Sequence, residues 1–206
     1  MTTHITTVMN RYKGRCKHWD VVNEGEQDPA VRSYPPPPPP LLHHANPNPC
    51  SRKALEEDGT YKETVFLDVI GPAYIPIAFK AAAAADPSAK LYYNDFNLEA
   101  GDEKTLAAVE LVKMVQKAGA RIDGVGFQGH FTLDEVPNAD DMSNSLRSLT
   151  DLGVDVAYTE MDVRVKNPIS AQKLQKHAQA YADLAKSCLS VPRCVGITIW
   201  VSSLPL

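Results

Sequence analysis

The chain has 206 residues, of which 44% are hydrophobic and 22% are charged, and its formal net charge is −4. This length suffices for one sizeable core, but it is short for an eight-stranded α/β barrel, which usually needs about 250 residues. No basic cluster of the kind that follows a nucleic-acid backbone is present, so nucleic acid is not an expected partner. No apolar run approaches the roughly 20 residues of a membrane span, and the N-terminus lacks the layout of a secretory signal. These features alone predict no membrane partner and a chain that stays inside the cell.

The first predicted strand ends in a glutamate. It runs from Trp19 to Val22 and is followed directly by Asn23 and Glu24. A carboxylate at the end of a β-type run lies where a parallel sheet places its functional groups, so Glu24 is a candidate for chemistry.

Residues 25–53 interrupt this order, because they contain nine of the sixteen prolines, including the run from Pro35 to Pro40. Polyproline cannot enter a helix or a sheet interior, so we predict a disordered insert. A ligand for an SH3-type domain is the alternative. The codons for Gly25-Glu26 can contain GTGAG, a frequent intron start, which suggests a retained intron as the origin of the insert.

Helical and strand periods alternate from Thr60 to Trp200. Three helical faces recur at steps of three and four residues and end near a glycine or a cysteine. They comprise Ala108, Leu111, Val112, Val115 and Ala118; Met142, Leu146, Leu149 and Leu152; and Leu174, Ala178, Tyr181, Ala185 and Cys188 after a cap at Ser170. The later strands are predicted at 90–93, 122–127, 154–158 and 195–200. Five strands joined by helices indicate a parallel α/β sheet.

Polar residues follow every one of these strands. They are Asn23 and Glu24, then Asn94, Asp95 and Asn97, then Gln128 and His130, then Glu160 and Asp162, and finally Trp200. Each alone has an ordinary reading as a solvated loop or core residue. Together they indicate a sugar site in which two glutamates break a glycosidic bond. Amides and His130 would bind hydroxyls, while Trp200 and Tyr93 would offer apolar faces to a sugar ring.

Two of the four cysteines are close in sequence. A short loop containing Pro192 can bring Cys188 and Cys194 within disulfide reach, whereas metal ligation needs further partners that are not nearby. We favour a disulfide, with two buried and unreactive thiols as the alternative. Cys16 and Cys50 have no evident partner.

The amino-acid sequences of four motifs resemble those of family 10 glycoside hydrolases, and of fungal xylanases in particular. The motifs are Trp19-Asp20-Val21-Val22-Asn23-Glu24, Tyr92-Tyr93-Asn94-Asp95-Phe96-Asn97, Gly124-Val125-Gly126-Phe127-Gln128-Gly129-His130 and Thr159-Glu160-Met161-Asp162. The resemblance implies a (β/α)8 barrel that hydrolyses β-1,4-xylosidic bonds with retention. The family's first three strands precede the region matched here, so we expect a partial barrel of about five strands, built from residues 1–24 and 54–206.

The resemblance also implies a role for each site residue. Glu24 would be the acid/base and Glu160 the nucleophile, while Asn23 would position the sugar and His130, supported by Asp162, would orient Glu160. Sugar-contacting positions would be Tyr93, Asn94, Gln128 and Trp200. The family tends to pair the cysteines that match Cys188 and Cys194.

The resemblance further implies an extracellular enzyme that acts on xylan or xylo-oligosaccharides without a metal or organic cofactor. We expect a monomer. The alternatives are a non-catalytic xylan-binding or decayed relative, an unstable fragment, and a related barrel enzyme that cleaves β-1,4-glucan.

Overall fold

The computed structural model describes residues 1–24 and 54–200. Its helices are α1 (Thr2–Arg11), α2 (Val65–Ile70), α3 (Tyr74–Ala85), α4 (Glu103–Lys117), α5 (Ala139–Thr150) and α6 (Ala171–Leu189). Its strands are β1 (His18–Asn23), β2 (Lys90–Asp95), β3 (Gly124–Phe127), β4 (His130–Thr132), β5 (Asp155–Arg164) and β6 (Cys194–Ile199). The insert predicted at 25–53, Cys50 within it, and residues 201–206 lie outside the described residues.

All pairings between these strands are parallel, which confirms the prediction. The main path runs β1, β2, β3, β5, with β6 on the far side of β5. The three-residue β4 pairs with the distal part of β5, so it continues the line of β3 after a break at Gln128 and Gly129. This break places Gln128 and His130 side by side at one edge of the sheet.

The helices α4, α5 and α6 each begin at a residue whose side chain caps the first turn. Ser170 caps α6 as predicted, since its side chain accepts a hydrogen bond from the Lys173 backbone N–H. Asp102 and Asn138 cap α4 and α5 in the same way. These caps fix where each helix begins and therefore how the preceding loop leaves the sheet.

The core lies between the sheet and the helices. From the strands it takes residues at alternating positions, and from α4 and α5 it takes most of the predicted apolar faces. Fully buried examples are Leu91, Tyr93, Val125, Phe127, Val156 and Tyr158 from the sheet and Leu111, Val112, Val115, Leu146 and Leu149 from the helices.

The face predicted for α6 is largely wrong. Leu174 is 54% exposed and Ala178 is exposed, and Cys188 is the one residue of that face that is buried. The helix packs on the sheet through a face turned away from that of Leu174 and Ala178, so its buried residues are Ala180, Leu184, Ser187 and Cys188.

A disulfide joins Cys188 at the end of α6 to Cys194 at the start of β6, with 5.3 Å between their Cα atoms. The predicted pairing is thus confirmed. Cys16 is a free thiol. None of the described helices is long and apolar enough to cross a membrane.

Candidate active site

The carboxyl ends of β1, β2, β3 and β5 lie at one edge of the sheet, which we call the rim. Hydrogen bonds between backbone groups continue past the strand ends there. The N–H of Glu24 donates to the carbonyl of Asn94 (3.2 Å), that of Gln128 to Asp95 (2.9 Å), and that of Glu160 to Gln128 (3.0 Å). Because the backbone remains paired at the rim, its side chains are held in a fixed arrangement.

The two candidate glutamates are linked by a chain of amides. Gln128 donates from Nε2 to Glu24 Oε1, and Asn94 donates from Nδ2 to Glu160 Oε1 at 3.1 Å. The Oδ1 atom of Asn23 accepts from both amides, at 2.7 Å from Asn94 Nδ2 and 3.3 Å from Gln128 Nε2. The structure therefore brings together five residues that the sequence places at four strand ends.

Glu24 has a backbone conformation that is uncommon for its type. Its φ is 43°, in the left-handed region, and Asn97 is the only other non-glycine residue with positive φ among residues 1–24 and 54–200. Such a conformation costs about 1–3 kcal/mol and persists where the surroundings enforce it. Here the bonds to Asn94 and Gln128 hold Glu24 and turn its carboxyl toward the other rim residues.

His130 lies between two carboxylates. Its Nδ1 atom is 2.7 Å from Asp162 Oδ1, and its Nε2 atom is 3.3 Å from Glu160 Oε2. The three side chains are partly exposed, with 20–29% of their surface accessible. Asp162 fixes the orientation of the imidazole ring, and the ring in turn contacts Glu160, as predicted for this pair.

Asn94 reaches Glu160 because the neighbouring strand leaves room for it. A Cβ atom at position 126 would overlap Asn94 Oδ1, so only glycine fits at Gly126. The same Oδ1 atom accepts a hydrogen bond from Thr159 Oγ1 at 2.7 Å, which leaves the Asn94 amide nitrogen free to point at Glu160. Thr159 was not among the predicted site residues, and only the strand register places it there.

One predicted sugar contact is wrong. Tyr93 is fully buried, and its hydroxyl donates to Asp95 Oδ2, so its ring presents no face to a ligand. The reason is the alternation along β2, which turns Tyr93 toward the helices and Asn94 toward the rim. Burial and the adjacent Asp95 raise the pKa of the Tyr93 phenol well above its usual value. Trp200, by contrast, is 55% exposed and its ring centroid lies 6.1 Å from that of His130.

A buried ion pair stabilises the end of β2 at the rim. The Lys104 ammonium lies 3.0 Å from Asp95 Oδ1 and donates to the carbonyl of Phe96 at 2.7 Å. Both Lys104 and Asp95 have side chains that are 0% exposed. The pair ties the start of α4 to the end of β2.

A cavity of about 220 Å³ opens beside His130. Its lining is mostly polar and includes Asn97, Glu99, Phe131, Thr132 and Arg164. In the described part of the chain, no group of three or more His, Cys, Asp or Glu residues is placed to hold a metal ion.

Comparison with known proteins assigns this site to a family. The model of glycosyl hydrolase family 10 matches residues 1–35 and 51–203. This chain belongs to glycosyl hydrolase family 10. It is 47% identical over 207 residues to endo-1,4-beta-xylanase A of Fusarium oxysporum f. sp. lycopersici, covering 97% of this chain and 54% of that protein. It is equally similar to endo-1,4-beta-xylanase 1 of Gibberella zeae, at 47% identity, covering 97% of this chain and 50% of that protein.

Solved structures of the same family agree with the fold. The GH10 xylanase from Bispora sp. MEY-1, determined with xylobiose, superposes with a TM-score of 0.80 at 31% identity and covers 97% of this chain and 53% of its own. Penicillium canescens endo-1,4-beta-xylanase XylE gives a TM-score of 0.80 at 32% identity, with the same coverage of both chains. These structures are (β/α)8 barrels, so the sheet described above is a partial (β/α)8 barrel. The chain spans about half the length of the relatives it matches.

Proposed function

We propose that this chain acts as an endo-1,4-β-xylanase that cleaves internal bonds of xylan with retention of configuration. The observation that carries the proposal is the linkage of Glu24 and Glu160 through shared amides at the rim. Relatives named endo-1,4-beta-xylanase, at 47% identity, support the choice of xylan over β-1,4-glucan.

The first step forms a covalent intermediate. Glu160, as a carboxylate, attacks the anomeric carbon, and Glu24 gives its proton to the departing glycosidic oxygen. Asn94 and His130 contact the two oxygens of Glu160 and so hold the attacking carboxylate in place. The bond between the anomeric carbon and the leaving sugar breaks as the ester with Glu160 forms.

The second step releases the sugar. Glu24, now a carboxylate, takes a proton from water, and the water oxygen displaces Glu160 from the anomeric carbon. The hydrogen bond from Gln128 keeps the Glu24 carboxylate near the same position for both roles. Two displacements at one carbon restore the original configuration.

Substrate contacts follow from exposure and position. Trp200 supplies the exposed aromatic face, and Asn23, Asn94, Gln128 and His130 supply hydrogen-bonding groups at the rim. We also propose that the protein works outside the cell as a monomer, as the family resemblance implies for a polysaccharide substrate.

The test is replacement of the nucleophile. We expect Glu160→Gln to abolish release of reducing ends from xylan, because an amide cannot form the glycosyl ester. Glu110→Gln is the matched control. The Glu110 side chain is 71% exposed, and it lies on the helix α4 rather than at the end of a strand. Near-unchanged hydrolysis by Glu160→Gln would refute the assignment, and faster cleavage of β-1,4-glucan than of xylan would refute the substrate.

A further inference from the structure

Glu99 is a buried carboxyl that the proposed mechanism does not use. It lies in the loop between β2 and α4, and only 2% of its surface is accessible. Burial raises the pKa of this carboxyl to about 7. A carboxyl is costly to bury without a partner, so its contacts indicate what it does.

The Glu99 side chain holds the corner between β3 and β4. Its Oε1 atom accepts a hydrogen bond from the backbone N–H of Gly129 at 2.9 Å, and both groups are buried. Gly129 has a φ of 74°, which makes the turn, and its carbonyl accepts from the Asp162 N–H at 3.0 Å. Glu99 therefore holds the backbone N–H of Gly129, which lies at the centre of this turn.

The residues on either side of Gly129 each contact one of the two glutamates. Gln128 donates to Glu24, and His130 contacts Glu160 at 3.3 Å. The strand register also changes here, since Phe127 pairs with Tyr158 whereas His130 pairs with Asp162. Three steps along the chain from Phe127 to His130 therefore face four steps along β5, so one residue of β5 is skipped in the pairing. At this point the Gly129 N–H donates to the side chain of Glu99 instead of to β5.

A second contact ties Glu99 to α5. Its carbonyl accepts a hydrogen bond from Ser145 Oγ at 3.1 Å. The loop is therefore anchored independently of the corner, and this separation allows the two contacts to be tested one at a time.

We propose that Glu99 is a positioning residue that sets Gln128 and His130 against the two glutamates through its hydrogen bond to Gly129. The inference rests on the proposed function for its kinetic consequence. The structural part of the inference, the effect of Glu99 on the His130 ring, can be measured whether or not the protein hydrolyses a substrate. A misplacement of reacting groups by about 1 Å can lower a rate by roughly 100-fold, so a single lost anchor at this corner has a measurable effect.

The experiment compares Glu99→Leu, which removes the acceptor, with Glu99→Gln, which keeps an oxygen at the same place. We measure kcat and KM on xylohexaose well below the melting temperature, together with the ¹H and ¹⁵N shifts of the His130 ring, assigned through His130→Gln. We expect Glu99→Leu to lower kcat about 10- to 100-fold with KM within about threefold, and to shift the His130 signals. Glu99→Gln should retain kcat within about threefold and leave those signals in place. Ser145→Ala is the matched control and should behave as the parent, because it removes the hydroxyl's bonds to the Glu99 and Asp141 carbonyls but leaves the bond from Gly129 to the Glu99 side chain.

The outcomes separate this inference from the proposed function. If the parent does not hydrolyse xylohexaose, the proposed function fails, and shifted His130 signals in Glu99→Leu alone still support positioning. Parental kcat and unchanged His130 signals in a folded Glu99→Leu would overturn it, and so would equal losses in Glu99→Leu and Ser145→Ala. If Glu99→Leu does not fold, Glu99→Asp carries the same prediction, because its shorter side chain keeps a carboxyl group but does not reach the Gly129 N–H.

Discussion

At the scale of single residues, the two glutamates have different surroundings. Glu160 is contacted at both oxygens, by Asn94 and by His130, whereas the Glu24 carboxyl has a hydrogen bond from Gln128 at Oε1. A nucleophile benefits from being held at both oxygens, and an acid/base group needs one oxygen open to the leaving group and to water. The contacts therefore agree with the proposed division of roles.

This division predicts a particular kinetic pattern for Glu24→Ala. Without the acid, we expect hydrolysis of xylan to fall by about 10²- to 10⁴-fold. A 2,4-dinitrophenyl xylobioside needs no protonation of its leaving group, so it should still give a burst of phenolate, followed by slow turnover that azide accelerates. Stopped-flow absorbance measures the burst.

Equal losses on xylan and on the activated substrate would contradict this role for Glu24. Glu110→Ala, at an exposed position of α4, controls for the effect of removing a carboxylate as such.

Most of the site could be predicted from residue order, because parallel strands bring their carboxyl ends to one edge whatever the intervening helices are. The orientation of side chains could not. Tyr93 and Asn94 are adjacent in β2, and the sequence does not say which face of the strand the helices cover. Thr159 and Glu99 were missed for a related reason, since their contacts with Asn94 and Gly129 depend on strand register and on the path of a loop.

At the scale of elements, α4 is attached to β2 by a buried ion pair. Lys104 and Asp95 are both fully buried at 3.0 Å. Removing one partner of such a pair leaves the other as a buried charge without its counter-charge, which costs about 3–5 kcal/mol. The exposed pair Lys113–Glu110 on the same helix, at 2.7 Å, should contribute no more than about 1 kcal/mol.

We therefore expect Lys104→Met to lower the free energy of unfolding by about 3–5 kcal/mol, and Lys113→Met to lower it by about 1 kcal/mol at most. Urea titration followed by circular dichroism measures both. Similar values for the two variants would show that the buried pair does not hold α4 to the sheet.

Two elements show where sequence periodicity is insufficient. The helix α1 was not predicted, because its threonines favour strands as much as helices, and it forms by packing Met9 and its neighbours against α3. The strand β4 is only three residues long and follows Gly129, so it shows no period of its own.

At the scale of the whole molecule, β6 lies at one edge of the described sheet, and β1 lies at the opposite edge. Among the described residues β6 pairs with β5 alone, and Val195, Ile197, Ile199 and Trp200 are exposed by 36–55%. Parallel strands in a barrel are normally buried on both faces, and an exposed apolar edge promotes association between chains.

Replacement of two of these side chains should reduce association. We expect Val195→Lys combined with Ile197→Lys to slow the growth of light scattering at high protein concentration, because charge on an edge strand disfavours pairing. Leu106→Lys, at a position of α4 that is 61% exposed, is the control for added charge. Equal slowing by both variants would indicate a general charge effect rather than association through β6.

The measurement that tests the central claim most directly is mass spectrometry of the protein after reaction with a 2-deoxy-2-fluoro-xylobioside carrying a good leaving group. The fluorine slows release of the glycosyl ester, so the covalent intermediate accumulates. We predict one fluoroxylobiosyl group on the peptide that contains Glu160. A label on any other residue, or cleavage that yields the inverted anomer without a label, would contradict the assignment of Glu160 as nucleophile and Glu24 as acid/base.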